Sequence, residues 1–270
     1  MTSNKVIEEK FASIIDAVCY WLGYQLKIGR EQLIHEASLR YPIADAITAQ
    51  GTSINRVVLE KLHPLFESKK IDLVIFDKSV KVPEAETDDA KLKEVFEFKL
   101  SKSDTAKFRS LEHQRVFDDV VRLAYYNMWG KKDCYFLMCG KYEDFKTFFV
   151  GQQSSITKSA GKNKVATRQA RTQNMLDSSF SNGWEPGGLY KEWFDFTIGK
   201  SKTIKFEIDK INNGDKWGLR TFQNNYQPRD ENAHKFSNTI EVKTTCLAIT
   251  SPGEINRTHA AGIWKIESES

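Results

Sequence analysis

Two apolar runs that lie close together in the chain constrain its fold more than any other feature. The run IDLVIFD is apolar on both faces over residues 73–76, which is typical of a strand that is covered on both sides. The run VFEFKL alternates instead, because successive side chains of a strand point to opposite faces. Glu97 and Lys99 therefore share one face of the second strand. We expect a buried sheet from which these two ionisable side chains project.

The segment before these strands is predicted to be helical, because its apolar residues recur every three or four positions. The first helix is expected over residues 5–22, with Gly23 as its end. A second helix is expected over residues 31–40, after which Pro42 starts a new turn or kinks the helix, and a third helix is expected within residues 54–67.

The chain after the two strands predicts a helix, a third strand and a further helix. Residues 113–129 carry a broad apolar face, and Gly130 follows as a helix end. DCYFLMCG predicts a buried strand, and KYEDFKTFF the start of another helix. The acidic connection between the first two strands is expected to be a solvated loop or hairpin end. This order indicates an α/β fold, a mixed central sheet flanked by helices, with its core in residues 1–150.

Two further segments follow this core. Residues 151–182 carry five basic residues against one acid and few large apolar side chains, which is typical of a mobile loop or a flexible nucleic-acid contact. The basic residues are Lys158, Lys162, Lys164, Arg168 and Arg171. Residues 183–270 contain the alternating runs TIKFEID and NTIEVKTTCLAIT. They predict a β-rich extension, either an accessory lobe or strands added to the first sheet.

Composition and the spacing of particular residues argue against several classes of protein. The four cysteines form no CxxC pair, which favours free core thiols in a reducing cytosol. The histidines show no HxxxH or HxH spacing, and neither a P-loop nor a Gly-x-Ser-x-Gly elbow is present. The N-terminus has no apolar signal core, and no long uncharged apolar run occurs. We therefore expect a cytoplasmic protein without a membrane partner; its net charge of +4 says little about nucleic acid.

An acidic pocket with one cation is predicted where the two strands meet. Asp72 opens the first strand, and Glu97 and Lys99 lie on the second. Two carboxylates and the intervening carbonyl of Phe98 suit Mg²⁺, which prefers oxygen ligands and keeps several waters. Lys99 would then orient or polarise a water that attacks a phosphodiester. The alternative is a structural salt bridge between Asp72 and Lys99 at the end of the sheet.

This arrangement resembles the PD-(D/E)xK nuclease superfamily, which has the restriction-endonuclease-like fold. The resemblance covers residues 31–150: Asp72, then Glu97-Phe98-Lys99 on the next strand, then a helix and a buried strand. Ile71 stands where the family usually has proline. The resemblance implies that Asp72 and Glu97 are the metal-binding acids and Lys99 the catalytic lysine. It also implies a glutamate on the helix before the sheet.

Glu36 is the matching candidate for that glutamate. Its alternative role is an ion pair with Arg40 at (i, i+4) spacing. Gln114, on the helix after the lysine strand, is a further candidate for contact with the metal-bound water or the phosphate. Its alternative is a solvated side chain.

The resulting hypothesis is a Mg²⁺-dependent endo- or exodeoxyribonuclease of restriction, phage defence or repair, in which Mn²⁺ substitutes for Mg²⁺. The basic residues of 151–182 would contact the phosphate backbone of DNA. A homodimer stays an open alternative. The rival hypothesis is a non-catalytic nucleic-acid-binding or scaffolding protein on the same fold.

Overall fold

The structure is a computed structural model that describes residues 2–80, 89–101, 108–142, 193–208, 219–229, 235–250 and 258–269. Within residues 2–8 and 108–114 it describes the backbone only.

Within these described ranges, seven strands form one mixed sheet. They are β1 (Val57–Leu62), β2 (Lys70–Phe76), β3 (Leu92–Ser101), β4 (Asp133–Lys141), β5 (Ser201–Glu207), β6 (Thr239–Ile249) and β7 (His259–Ser268). Their order across the sheet is β1-β2-β3-β4-β7-β6-β5. The pair β3–β4 is parallel, and the other neighbouring pairs are antiparallel. A parallel pair needs a crossover connection, which here contains a long helix.

Helices cover both faces of this sheet. They are α1 (Thr2–Lys27), α2 (Arg40–Ala49), α3 (Phe108–Gly130) and the short α4 (Leu219–Asn225). Helices α1 and α2 pack on the face that carries Phe96 and Phe98, whereas α3 packs on the opposite face with Val74 and Val95. This confirms the alternation predicted for β3. The predicted mixed α/β class is confirmed as well.

Four predicted elements are confirmed by the structure. IDLVIFD and VFEFKL lie in the adjacent antiparallel strands β2 and β3, DCYFLMCG forms β4, and the helix expected over residues 113–129 lies within α3, which ends at Gly130. The C-terminal runs form β5 and β6, and β7 pairs with β4. The described C-terminal strands are therefore added to the first sheet, which was one of the two alternatives.

The predicted end of the first helix is wrong. Helix α1 continues through Gly23 to Lys27, because a single glycine costs a helix only about 1 kcal/mol and the helix packs along the sheet. A Cβ atom at Gly23 would lie 3.1 Å from Oγ1 of Thr258. Glycine therefore permits a close approach here and does not end the helix.

The second and third predicted helices are also displaced. Residues 31–40 contain two 3₁₀ turns, Glu31–Leu33 and Glu36–Leu39, and the helix begins only at Arg40. Pro42 lies in the first turn of α2, where its missing N–H costs little. Within residues 54–67 a 3₁₀ turn, Ile54–Arg56, leads into strand β1. The VVLEKL run forms the edge strand because it can pair with the apolar β2.

The remaining expectations divide between those that the structure describes and those outside it. All four cysteines are buried and free, as predicted. No helix in the described ranges is long and apolar enough to cross a membrane. The helix predicted after Lys141 and the basic segment 151–182 lie outside the described residues, as do residues 81–88 of the acidic connection.

Candidate functional site

The antiparallel pairing of β2 and β3 brings Asp72 beside Glu97. Leu73 pairs with Phe96, so the next position in the register sets the two carboxylates opposite each other. Asp72, Glu97 and Lys99 are all buried, with 8%, 3% and 6% of their surface exposed. The structure thus assembles the three predicted residues in one place, inside the sheet-helix interface.

Both oxygens of Asp72 are occupied. Its Oδ2 accepts a hydrogen bond from the backbone N–H of Phe98 at 2.9 Å. Its Oδ1 accepts from Nε and Nη2 of Arg40 at 3.1 Å and 2.7 Å. Asp72 is thus paired with Arg40. The alternative, a salt bridge between Asp72 and Lys99, is wrong for the described contacts, because Lys99 pairs with other acids. Phe98, proposed as a carbonyl ligand, contributes its amide to fixing Asp72.

Lys99 is held by two acids from two different helical segments. Its Nζ lies 2.8 Å from Oδ2 of Asp119 on α3 and 3.2 Å from Oε1 of Glu36. Burial alone would lower the pKa of Lys99, but the negative charges of Asp119 and Glu36 outweigh it and raise the pKa above its usual value. The two acids therefore favour the charged ammonium form of Lys99.

Glu36 lies where the cluster meets solvent. Its side chain is 40% exposed and contacts Lys99. The alternative ion pair with Arg40 does not form, because Glu36 lies in a 3₁₀ turn and Arg40 begins the next helix and turns toward Asp72. Burial raises the pKa of Glu36, and the charge of Lys99 opposes that increase. Glu36 thus joins the predicted cluster through Lys99.

Helix α3 adds two charged residues that the sequence prediction missed. Nη2 of Arg122 lies 3.1 Å from Oε1 of Glu97 and forms a close ion pair with Asp119, while Nη1 donates to the carbonyl of Lys70 at 3.3 Å. Both Asp119 and Arg122 are buried. Asp119 falls on the apolar stripe with Val116, three residues before it, and a charge on such a stripe was the signal available in the sequence.

The cluster holds more acid than base. Its acids are Glu36, Asp72, Glu97 and Asp119, and its bases are Arg40, Lys99 and Arg122. Burial is the main reason that the pKa of Glu97 is raised well above its usual value; Arg122 opposes the shift, and Asp72 and Asp119 add to it. A proton or an additional cation is therefore favoured at Glu97.

The donor chemistry of this cluster suits a hard divalent cation, but the protein's own cations occupy the carboxylates. Oε1 of Glu97 is buried and accepts no hydrogen bond from the described residues. It does form an ion pair with Arg122. Carboxylate oxygens are preferred by Mg²⁺. In the described part of the chain, no group of three or more His, Cys, Asp or Glu residues is arranged to hold a metal ion. A metal would have to share or replace the contacts of Arg40 and Arg122.

The remaining predicted site residues cannot be placed in this cluster. The side chain of Gln114 and the five basic residues of 151–182 lie outside the described residues.

Comparisons with known proteins return no match. No family model matches the chain, and no curated protein or solved structure is significantly similar to it.

Proposed function

We propose that this protein is a metal-dependent nuclease that hydrolyses phosphodiester bonds of DNA. The observation that carries the proposal is the adjacent, buried pair of carboxylates from Asp72 and Glu97, with the ammonium group of Lys99 two residues further along the same strand as Glu97. Burying two carboxylates side by side costs free energy, because both lose contact with water and their negative charges repel each other. Such a cost is commonly tolerated where the charges serve a function.

The order of the elements supports a restriction-endonuclease-like core as part of this proposal. An antiparallel series β1-β2-β3 carries Asp72 and the Glu97-Phe98-Lys99 triplet, and α3 then leads to β4, parallel to β3. The sequence resemblance to PD-(D/E)xK nucleases implies the same succession of aspartate strand, Glu-x-Lys strand, helix and strand. The strand pairing adds to the resemblance that β2 and β3 are antiparallel neighbours and that β4 lies parallel to β3.

The proposed mechanism assigns one task to each residue. Asp72 and Glu97 would hold Mg²⁺ or Mn²⁺, which supplies Lewis-acid chemistry at the phosphate and lowers the pKa of a bound water. Glu36, at the solvent side, would extend this set of oxygen ligands. Lys99 stays protonated beside Asp119, so it would orient the attacking water or hydrogen-bond a phosphate oxygen.

DNA is the proposed partner. Its backbone would be contacted by the basic segment 151–182, since five cations against one acid attract a polyanion that the acidic cluster alone would repel.

A non-catalytic nucleic-acid-binding or scaffolding protein is the second candidate. It is favoured by the ion pairs of Arg40 with Asp72 and of Arg122 with Glu97, because a purely structural network would also balance its charges internally. The two candidates differ in what Asp72 and Glu97 do when a divalent cation is present.

Cleavage of labelled nucleic acids tests the proposal. Duplex DNA, single-stranded DNA, branched DNA and RNA are incubated with the protein in Mg²⁺, Mn²⁺ or EDTA. We expect metal-dependent cleavage that falls by several orders of magnitude in Glu97→Gln and in Lys99→Ala, with folding retained. Glu241→Gln is a matched control, because Glu241 is an exposed acid on β6. Cleavage by Lys99→Ala at the wild-type rate would remove Lys99 from the mechanism, and no cleavage of any substrate favours the scaffolding candidate.

A further inference from the structure

The guanidinium group of Arg40 lies between two carboxylates in different surroundings. Inside the cluster, Nε and Nη2 contact Oδ1 of Asp72. On the outer side, Nη1 donates to Oε1 of Glu60 at 2.7 Å. The side chain of Asp72 is 11% exposed and that of Glu60 is 47% exposed. Arg40 therefore has one buried anchor and one solvent-facing anchor.

The outer anchor has an unusual backbone. Glu60 lies in the middle of β1, between two residues that pair regularly with β2, and its φ is 53°. This is the left-handed region, which is unfavourable for any residue with a Cβ atom. Strained residues of this kind persist where the surrounding structure requires them, and they concentrate at functional sites. The register places Glu60 opposite Asp72, so the strain lies next to the candidate site.

Arg40 and a divalent cation bound at Asp72 would compete for the same carboxylate oxygen. Oδ2 of Asp72 already accepts the N–H of Phe98, and Oδ1 accepts two N–H groups of Arg40. A metal ion bound at Oδ1 would displace at least one of those hydrogen bonds and would repel the guanidinium charge. The contact with Glu60 would not be affected in this way, because it lies on the far side of the guanidinium group.

We propose that Arg40 is a metal-operated substrate-binding residue. Without metal it neutralises Asp72. When a divalent cation takes Asp72, the guanidinium group stays tethered to Glu60 and is available to a phosphate of the nucleic acid. A planar guanidinium group fits phosphate oxygens bidentately, which suits it to this second contact. The proposal rests on the proposed nuclease function, because it takes Asp72 as a metal ligand.

Calorimetry with Mn²⁺ tests the first half without any measurement of activity. We expect Arg40→Met to bind Mn²⁺ about tenfold more tightly than the wild type, since the metal no longer displaces a cation. Arg30→Met is the matched control, because Arg30 is exposed and lies outside the cluster; its Mn²⁺ affinity should equal that of the wild type. If Arg40→Met does not fold, Arg40→Gln is measured in its place. Unchanged or weaker Mn²⁺ binding by the Arg40 variant overturns the proposal.

The second half is tested by binding of a fluorescent DNA duplex in a Lys99→Ala background, in which cleavage is not expected to interfere. In Mn²⁺, adding Arg40→Met should reduce the slope of log affinity against log salt by about one unit, the value for one phosphate contact. In EDTA the slope should not change, because Arg40 is then held by Asp72. Equal slopes in Mn²⁺ overturn the substrate contact. Failure of the nuclease proposal itself would give a different result in calorimetry: the wild type and Glu97→Gln would bind Mn²⁺ with the same affinity.

Discussion

Replacing Arg122 by methionine would remove the buried cation that pairs with one acid on β3 and one acid on α3. Arg122 is buried and contacts Glu97, Asp119 and the carbonyl of Lys70. Removing one partner of a buried ion pair usually costs about 3–5 kcal/mol, because the other charge stays buried without compensation. We expect the loss in the free energy of unfolding to lie at the lower end of this range, roughly 3 kcal/mol. The reason is that Lys99 still neutralises Asp119 and that a proton is favoured at Glu97.

This loss can be measured by urea denaturation followed by circular dichroism. Domains are stable by about 5–15 kcal/mol, so a loss of roughly 3 kcal/mol is a large part of the total. At about 2–4 °C per kcal/mol it corresponds to a lower melting temperature by roughly 6–12 °C. Arg115→Met is the control on the same helix: Arg115 is exposed, and its replacement should change the free energy of unfolding by less than about 0.5 kcal/mol.

A double-mutant cycle decides whether the loss comes from the pair with Glu97. Adding Glu97→Gln to Arg122→Met removes the acid that has lost its partner, so the double variant should lose at least about 1 kcal/mol less than the sum of the single variants. Additive losses, or a loss below about 1 kcal/mol for Arg122→Met alone, would refute the view that Arg122 neutralises the cluster.

Three further predictions concern pH, DNA binding and packing. Because the pKa of Glu97 is raised in the folded protein, the folded state keeps a proton that the unfolded chain releases above about pH 4.3. The free energy of unfolding should therefore fall as pH rises beyond that value, and Glu97→Gln should remove up to about 1.4 kcal/mol per pH unit of this fall in urea titrations. The Lys162→Ala, Lys164→Ala double variant should lower the salt slope of DNA affinity by about two units; an unchanged slope would place the DNA-binding face elsewhere. Gly140→Ala should lower the free energy of unfolding by about 1–3 kcal/mol, because its Cβ atom would lie 2.8 Å from the carbonyl oxygen of Ser101.

The parts of the fold predicted well from sequence are those in which local pattern and tertiary environment agree. Strand β3 alternates its apolar and charged residues, and each set lies on the face that the alternation requires. Strand β2 is apolar on both faces and is covered on both. The long α3 has an apolar stripe and a terminal glycine, so its C-terminal end could be predicted from residue spacing, whereas its start at Phe108 lies five residues before the predicted one.

Strand β1 shows where local pattern is insufficient. Its apolar residues fit helical spacing, but an isolated helix of this length would be only marginally stable. As a strand, the same segment gains hydrogen bonds to β2. The left-handed Glu60 within it has no signature in the sequence, because glycine or asparagine would have been expected at such a position.

Charged partners from distant segments were the other failure of prediction. Asp72, Glu97 and Lys99 could be grouped because two neighbouring strands carry them. Arg40 and Arg122 reach the same cluster from α2 and α3, and their pairing depends on where those helices begin and how they lie on the sheet. Single-sequence periodicity places a residue on a face, but it does not tell which distant charge it will meet.

The position of β7 has a consequence for any attempt to dissect the chain. This strand comes from the C-terminus, yet it separates β4 from β6, and α1 at the N-terminus packs against the same part of the sheet. A fragment ending near residue 150 would leave β4 as an open edge and α1 without much of its platform. Such an edge invites pairing with other chains, so the fragment should aggregate. Strands β2 and β3 hold the acidic cluster, but α1 and β7, which are far apart in sequence, complete the sheet layer that supports it. Limited proteolysis in the C-terminal region should therefore abolish cooperative unfolding of the whole molecule.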